Sequence, residues 1–138
     1  MDKDLRSIQE VRDLLERAWT AQRALAAMDQ EDLDRVTAAI SKAGAEQARR
    51  LAQMAVEETG YGRVEDKTLK NRFAALTLYD AIKEEKTHGI LAQDQERRTI
   101  DIGVPVGPVA GLLPSTNPTS SAIYKAMICV KAGNPIVF

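Results

Sequence analysis

The chain has few of the residue types that build disulfides or zinc sites. Its 138 residues include one cysteine and one histidine, which excludes an internal disulfide framework and leaves no Cys/His set for zinc. Lys plus Arg (19) nearly balance Asp plus Glu (20), so we expect no nucleic-acid partner and no anionic membrane surface. No apolar run has the length of a membrane span, and the first residues lack a signal-peptide pattern. The composition favours a reducing cytoplasm, with small molecules or other subunits as partners.

Charge divides the sequence into two parts. Up to Asp101 it is dense in charged residues, and beyond that point only Lys125 and Lys131 carry charge. In the first part apolar residues recur every three to four positions, the spacing of one helix face. The pattern predicts four helices. The first covers residues 3–28, the second begins at an N-cap at Asp29, and the third runs from about Ala45 to a stop at Gly60. The fourth carries Leu69, Phe73, Leu76 and Ile82 and ends near Thr87–Gly89. Trp19 continues the first apolar stripe, which predicts a core or interface position. Residues 1–96 are therefore expected to form an N-terminal helical region.

From Arg97 the pattern changes to that of strands. Residues 97–105 alternate in strand fashion as far as Pro105, after a polar surface connection over residues 92–97. Residues 106–113 form an almost continuous apolar run, typical of a parallel strand covered on both faces. Residues 122–130 then supply a crossover helix ended by Gly133, and residues 135–138 the next parallel strand. The fold class is therefore α/β, with a helical layer before the first βαβ unit of a domain that we expect to be incomplete at Phe138.

The polar loop before the predicted crossover helix is the best site candidate. In parallel α/β sheets ligands bind beyond the carboxyl ends of the strands, which is where residues 114–117 fall. Asn117 followed by Pro118 is also an ordinary helix start, in which the asparagine side chain caps backbone N–H groups. The two roles are compatible, because the amide oxygen can cap while the NH2 group donates into a cleft. No G-x-G-x-x-G fingerprint is present.

Several long segments resemble one known family. The segments are residues 54–67, 70–74, 85–91 and, above all, Leu113-Pro-Ser-Thr-Asn-Pro-Thr-Ser. They are similar to the CoA-acylating branch of the aldehyde dehydrogenase superfamily, which includes the aldehyde half of bifunctional aldehyde–alcohol dehydrogenases and the propionaldehyde and acetaldehyde dehydrogenases of microcompartments. The resemblance implies an aldehyde dehydrogenase-like fold. Residues 97–105 would be a strand of the subunit-contact region, and residues 106–138 would begin a Rossmann-like NAD-binding domain.

The resemblance also implies a reaction. A short-chain aldehyde would be oxidised by NAD, or by NADP, through a cysteine thioester that coenzyme A captures. Asn117 would donate to the oxyanion, and the cofactor site would include Leu112, Leu113, Pro114, Ser115, Thr116 and Asn117. Non-acylating relatives typically carry Trp where Thr116 stands, which favours the acylating branch. The full-length form is expected to be a homo-oligomer in the cytoplasm or inside a bacterial microcompartment.

The nucleophilic cysteine of the family falls beyond Phe138, so the chain alone is expected to lack catalysis. Cys129 lies between Ile128 and Val130 with no acidic or histidine neighbour, which predicts a buried, inert thiol. A non-acylating aldehyde dehydrogenase and an inactive truncated remnant remain alternatives. His88 is expected to bind helix-terminal carbonyls. Four acidic residues beside Lys67 and Lys70 are expected to form a solvated face, namely Glu57, Glu58, Glu65 and Asp66.

Overall fold

Six helices and four short strands follow one another along residues 2–138, the part of the chain that this computed structural model describes. The elements are α1 (Lys3–Leu25), α2 (Gln30–Glu46), α3 (Ala48–Thr59), α4 (Val64–Arg72), a π-helical turn (Phe73–Thr77), α5 (Leu78–Ile82), β1 (Gly89–Asp94), β2 (Thr99–Gly103), β3 (Val109–Ala110), α6 (Pro118–Lys131) and β4 (Ile136–Val137). The α/β class predicted from the sequence is confirmed. Within residues 2–138, none of the helices combines the length and the apolar character that crossing a bilayer requires.

Two helix ends coincide with capping residues that the sequence predicted. Asp29 caps α2 as predicted, because its Oδ1 accepts the backbone N–H of Asp32 at 2.9 Å. Gly60 ends α3 with φ 68°, a left-handed conformation that suits glycine. The predicted fourth helix is the succession of α4, the π-helical turn and α5, and it ends at Ile82 rather than near Thr87.

The apolar stripe of α1 does not face the core of the described residues. Ala18 and Gln22 are the buried residues of this helix, whereas Trp19 is 51% exposed. The side-chain Nε2 of Gln22 donates to the Gly133 carbonyl at 3.1 Å and joins α1 to the residues after α6. The core position that we considered for Trp19 is therefore wrong, and an interface position stays a prediction.

An antiparallel hairpin follows the helices. β1 pairs with β2 from Gly89 opposite Gly103 to Asp94 opposite Thr99, with an irregularity between Ile90 and Ala92. The surface connection predicted over residues 92–97 is wrong in its first half, because β1 runs through Ala92 to Asp94. The strand was missed because its second half is polar, and its side chains from Ile90 to Asp94 are exposed in the structure. The hairpin crosses the expected boundary between residues 96 and 97, and the domain boundaries stay predictions.

The last elements form the predicted βαβ unit. β3 and β4 are parallel neighbours, with Val109 opposite Ile136, and α6 crosses between them. The strands are two residues each, shorter than predicted, and α6 begins at Pro118, where the Asn117-Pro118 pair predicted a helix start. A Cβ at Gly111 would lie 2.8 Å from Cδ1 of Ile136, so glycine permits the chain to leave β3 beside β4.

Small residues let α2, the π-helical turn and α6 pack closely. A Cβ at Gly44 of α2 would lie 3.1 Å from Cγ2 of Ile123 and 3.2 Å from Cβ of Ala75. Together with these two residues, Ala74 and Met127 form the buried apolar cluster. Leu33 of α2 is also fully buried. This packing fixes the axis of α6, and with it the loop from which α6 starts.

A buried ion pair closes the far end of α6. The ammonium of Lys131 lies 2.6 Å from Oδ1 of Asp34 on α2 and donates to the Lys83 carbonyl at 2.9 Å. The Lys131 side chain is almost fully buried, whereas that of Asp34 is 39% exposed. The pair and the carbonyl together satisfy a charge that would be costly to bury alone.

We predict that Asp34→Ala lowers the free energy of unfolding by about 2 kcal/mol, since it leaves the Lys131 ammonium buried without its anion. Urea denaturation followed by circular dichroism measures the change. Asp80→Ala is the matched control, because it removes a carboxylate from an exposed pair with Lys83 and should cost well under about 1 kcal/mol. Equal effects of the two substitutions would contradict the role given to the buried pair.

We predict that the 138-residue chain self-associates in solution. Large apolar side chains lie exposed beside the strands, with Val106 86% and Leu112 84% accessible. The edges of the two-residue strands offer unpaired backbone groups as well. Sedimentation velocity at increasing concentration should show a rising weight-average mass, and a single monomeric species throughout would contradict the prediction.

Candidate functional site

The loop between β3 and α6 is held by lysine side chains. The carbonyl of Leu112 accepts from Lys125, and the carbonyl of Thr116 accepts from Lys67 at 2.6 Å. A third amine, that of Lys70, donates to Oδ1 of Asn117 at 3.0 Å. The loop turns through a hydrogen bond from the Asn117 N–H to the Pro114 carbonyl at 3.3 Å. Its backbone is thus tied to α4 on one side and to α6 on the other.

Asn117 occupies the N-cap position of α6, but its side chain does not cap the helix. The Asn117 carbonyl accepts the first helical bond from Ser121 at 3.2 Å, while no side-chain oxygen bonds a backbone N–H of the first turn. The predicted side-chain cap is therefore wrong, because Lys70 holds the amide oxygen instead. The NH2 group makes one long contact, 3.4 Å to Oγ1 of Thr116, so at least one of its two donors is free.

A cleft of about 640 Å³ opens beside this amide. Its apolar wall comes from α4, the π-helical turn, α5 and α6, and consists of Leu69, Phe73, Ala74, Leu78 and Tyr124. Its polar groups come from Lys70, Asn117, Ser120 and Ser121. An apolar cleft with a few convergent polar groups is the usual form of a small-molecule site.

The remaining residues of the predicted site lie outside the cleft wall. Leu112, Leu113, Pro114, Ser115 and Thr116 are exposed and form the loop that leads to Asn117. They lie beyond the carboxyl end of β3, as predicted for residues 114–116, whereas Leu112 and Leu113 were expected within the strand. Of the six predicted site residues, Asn117 lines the cleft, and the other five form an exposed surface beside it.

Lys67 is a residue of this site that the sequence analysis missed. The solvated face expected around it holds for the four acidic residues, which are exposed, but Lys67 itself is 5% exposed. Lys67 and Lys70 are three residues apart on α4, so both reach the same loop. The i, i+3 spacing was visible in the sequence, but nothing indicated which elements the two lysines would face.

Buried polar contacts fix the walls of the cleft. Asn71 donates from Nδ2 to the Ala48 carbonyl and accepts from Oγ1 of Thr119, both at 2.9 Å, which joins α3, α4 and α6. In the π-helical turn the Ala75 carbonyl accepts from Oγ of Ser41 at 2.7 Å. A π-helical turn displaces carbonyls from the regular ladder, and such turns recur at functional sites.

Two further predicted residues stand apart from the cleft. Cys129 is half-buried on α6, and burial raises the pKa of its thiol, with nearby Lys125 lowering it in part. His88 does not bind helix-terminal carbonyls through its ring as predicted. Its buried Nδ1 has no hydrogen-bond partner among the described residues, and its backbone N–H donates to Oε1 of Gln30 at 2.9 Å. Neither residue lines the cleft.

The sequence and the fold match known proteins. The model of the aldehyde dehydrogenase family matches residues 5–138. A bifunctional aldehyde-alcohol dehydrogenase of Escherichia coli is 45% identical over 132 residues, which are 96% of this chain and 15% of that protein. A probable aldehyde dehydrogenase from Listeria monocytogenes superposes with a TM-score of 0.97 at 54% identity, over 100% of this chain and 30% of that one. An acetylating aldehyde dehydrogenase from Geobacillus thermoglucosidasius gives 0.96 at 57% identity, over 99% and 30%.

We predict that Cys129 reacts slowly with iodoacetamide at neutral pH, because burial raises the pKa of its thiol and so lowers the thiolate fraction. The rate should rise as pH increases toward and beyond the ordinary thiol pKa. Intact-mass spectrometry measures the alkylated fraction over time, with the same chain in guanidinium chloride as the control. A native rate equal to the denatured rate at neutral pH would contradict this assignment.

Proposed function

The chain belongs to the aldehyde dehydrogenase family, and we propose that it forms the oxyanion-binding part of an acylating aldehyde dehydrogenase. The observation that carries this proposal is the Asn117 amide beside an apolar cleft, with its oxygen held by Lys70 and its NH2 group free to donate. The chain spans 15% of the Escherichia coli relative and 30% of each solved structure. The activity is therefore proposed for the enzyme of which these residues form a part.

Asn117 would act when a cysteine thiolate, supplied by the rest of the enzyme, adds to the aldehyde carbon. The carbonyl π electrons move to oxygen, and the free N–H of Asn117 donates to the negative charge that develops there. The amide is neutral and its oxygen is already bound, so it needs no rearrangement as the charge forms. Loss of hydride from the same carbon then restores the C=O bond as a thioester.

The exposed loop of residues 112–116 is the proposed cofactor contact. It lies at the carboxyl end of a parallel strand and before a helix start, the usual place of a nucleotide in α/β folds. Its exposed surface and its position directly before Asn117 fit a nicotinamide cofactor. When bound, NAD or NADP would accept the hydride that the aldehyde carbon loses.

Coenzyme A is the proposed acceptor of the acyl group. Its thiol would attack the thioester carbon and release the enzyme cysteine, giving acyl-CoA. The acetylating activity in the name of the Geobacillus relative supports this choice over hydrolysis, as does Thr116 in place of the tryptophan typical of hydrolytic relatives. A homo-oligomer in the cytoplasm or in a bacterial microcompartment is the proposed assembly and location of the complete enzyme.

A chimera tests the proposal. Residues 1–138 would replace the matching segment of the Geobacillus enzyme, and NADH formation from acetaldehyde would be followed with and without coenzyme A. We predict that the chimera forms acetyl-CoA and that Asn117→Ala lowers kcat/KM by about 10²- to 10³-fold, the usual cost of losing an oxyanion-hole donor.

Gln53→Ala is the control for this substitution, because it removes another carboxamide, one bonded to Glu57 on the outer face of α3. It should leave kcat/KM within about twofold of the chimera, as surface substitutions usually do. Activity of Asn117→Ala close to that of the chimera would overturn the proposed role of Asn117. Free acetate formed equally fast without coenzyme A would instead favour the hydrolytic alternative.

A further inference from the structure

Lys70 has no carboxylate partner in the part of the chain that the structure describes. The ion pairs among residues 2–138 do not involve it, although its side chain is exposed and acidic residues precede it on α4. Its ammonium donates instead to Oδ1 of Asn117, 47 positions along the chain, at 3.0 Å. An exposed lysine usually keeps its ammonium in water. The direct bond of Lys70 to an amide that lines the cleft therefore points to a role for Lys70 at the cleft.

The donor character of lysine decides which way the Asn117 amide faces. An ammonium has three N–H donors and no acceptor, so only the amide oxygen can lie against it. The amide is planar, and fixing Oδ1 also fixes the direction of the NH2 group. A contact with a neutral hydroxyl would not make this distinction, because a hydroxyl can both donate and accept.

The charge of Lys70 also strengthens the amide as a donor. A hydrogen bond from a cation to the amide oxygen draws electron density from the nitrogen, and linked hydrogen bonds polarise one another in a low-dielectric site. The cleft wall beside Asn117 is largely apolar, whereas the Lys70 ammonium that binds the amide oxygen is exposed to solvent.

Lys67 has a different task. Its buried ammonium donates to the backbone carbonyl of Thr116 at 2.6 Å, so it holds the position of the loop rather than the rotamer of Asn117. One helix thus supplies a contact for the main chain and, three residues later, a contact for the side chain. The division leaves Lys70 as the group that acts on the amide itself.

We infer that Lys70 is a positioning residue of the oxyanion site, which orients and polarises the Asn117 amide through its oxygen. The inference rests on the proposed function of Asn117. It adds a role for a residue on α4, outside the loop from which the oxyanion donor comes.

A double-mutant cycle in the chimera tests it. Lys70→Met keeps an unbranched side chain one atom shorter and removes the donor. We expect kcat to fall about tenfold with little change in the KM values for acetaldehyde and NAD, given the usual strength of hydrogen bonds to charged groups. Lys70→Arg should restore most of kcat. In the Asn117→Ala background, Lys70→Met should have no further effect, because a group that acts only through the amide has nothing left to act on.

Controls separate this role from folding. Lys42→Met removes an exposed lysine of α2 that lies 4.0 Å from Glu46, and it should leave kcat unchanged. Thermal unfolding of each variant identifies any loss of structure. If Lys70→Met does not fold, Lys70→Gln, which keeps a neutral donor, replaces it and should give a kcat between those of the chimera and Asn117→Ala.

The outcomes distinguish the inference from the proposed function. If Asn117→Ala loses activity but Lys70→Met keeps it, or if Lys70→Met lowers kcat equally with and without the Asn117 amide, the positioning role is overturned and the function of Asn117 stands. If Asn117→Ala keeps full activity, the proposed function fails, and the inference fails with it.

Discussion

The site depends on one buried hydrogen bond between α4 and the loop before α6. The ammonium of Lys67 reaches the Thr116 carbonyl, 49 positions along the chain, from a side chain that is almost fully enclosed. A buried cation without a partner is costly, so Lys67 can remain buried only while the loop keeps the Thr116 carbonyl against its ammonium. By holding the loop against α4, this bond keeps Asn117 within hydrogen-bond distance of Lys70.

Close packing of helices gives this contact its fixed frame. Gly44 and Ala75 allow α2 and the π-helical turn to approach Ile123 on α6 within ordinary side-chain contact. Asn71 then joins α3, α4 and α6 through hydrogen bonds that water cannot easily replace. An amide at the start of α6 therefore keeps its position relative to α4 within a small range, which is what an electrostatic site requires.

The sequence was most informative where local chemistry decides the structure. The cap at Asp29 and the stop at Gly60 depend on residues near one another in sequence, the βαβ unit around α6 follows from apolar runs and an Asn-Pro helix start, and each was predicted. The missed features lack such a signal in the sequence. β1 lacks a buried face and so lacks a clear alternating pattern, and the burial of Lys67 becomes visible only when α4 meets a loop 49 positions away. Asn117 was placed correctly at the start of α6, but its pattern predicted that the side chain would cap the helix. The bond from Lys70 to Oδ1 forms instead, and nothing near Asn117 in the sequence indicates it.

A neutral amide backed by a cation suits oxyanion chemistry better than a cation alone. An ammonium aimed directly into the cleft would bind any anion, including a carboxylate product, whether or not the reaction had begun. In the proposed role, the Asn117 N–H would bind a neutral carbonyl oxygen weakly and an oxyanion much more strongly, which is the differential binding that lowers a barrier. With Lys70 bound to its oxygen, the amide would gain donor strength in the proposed reaction. In the proposed reaction the Asn117 amide would provide electrostatic stabilisation, and nucleophilic attack would come from a cysteine in the rest of the enzyme.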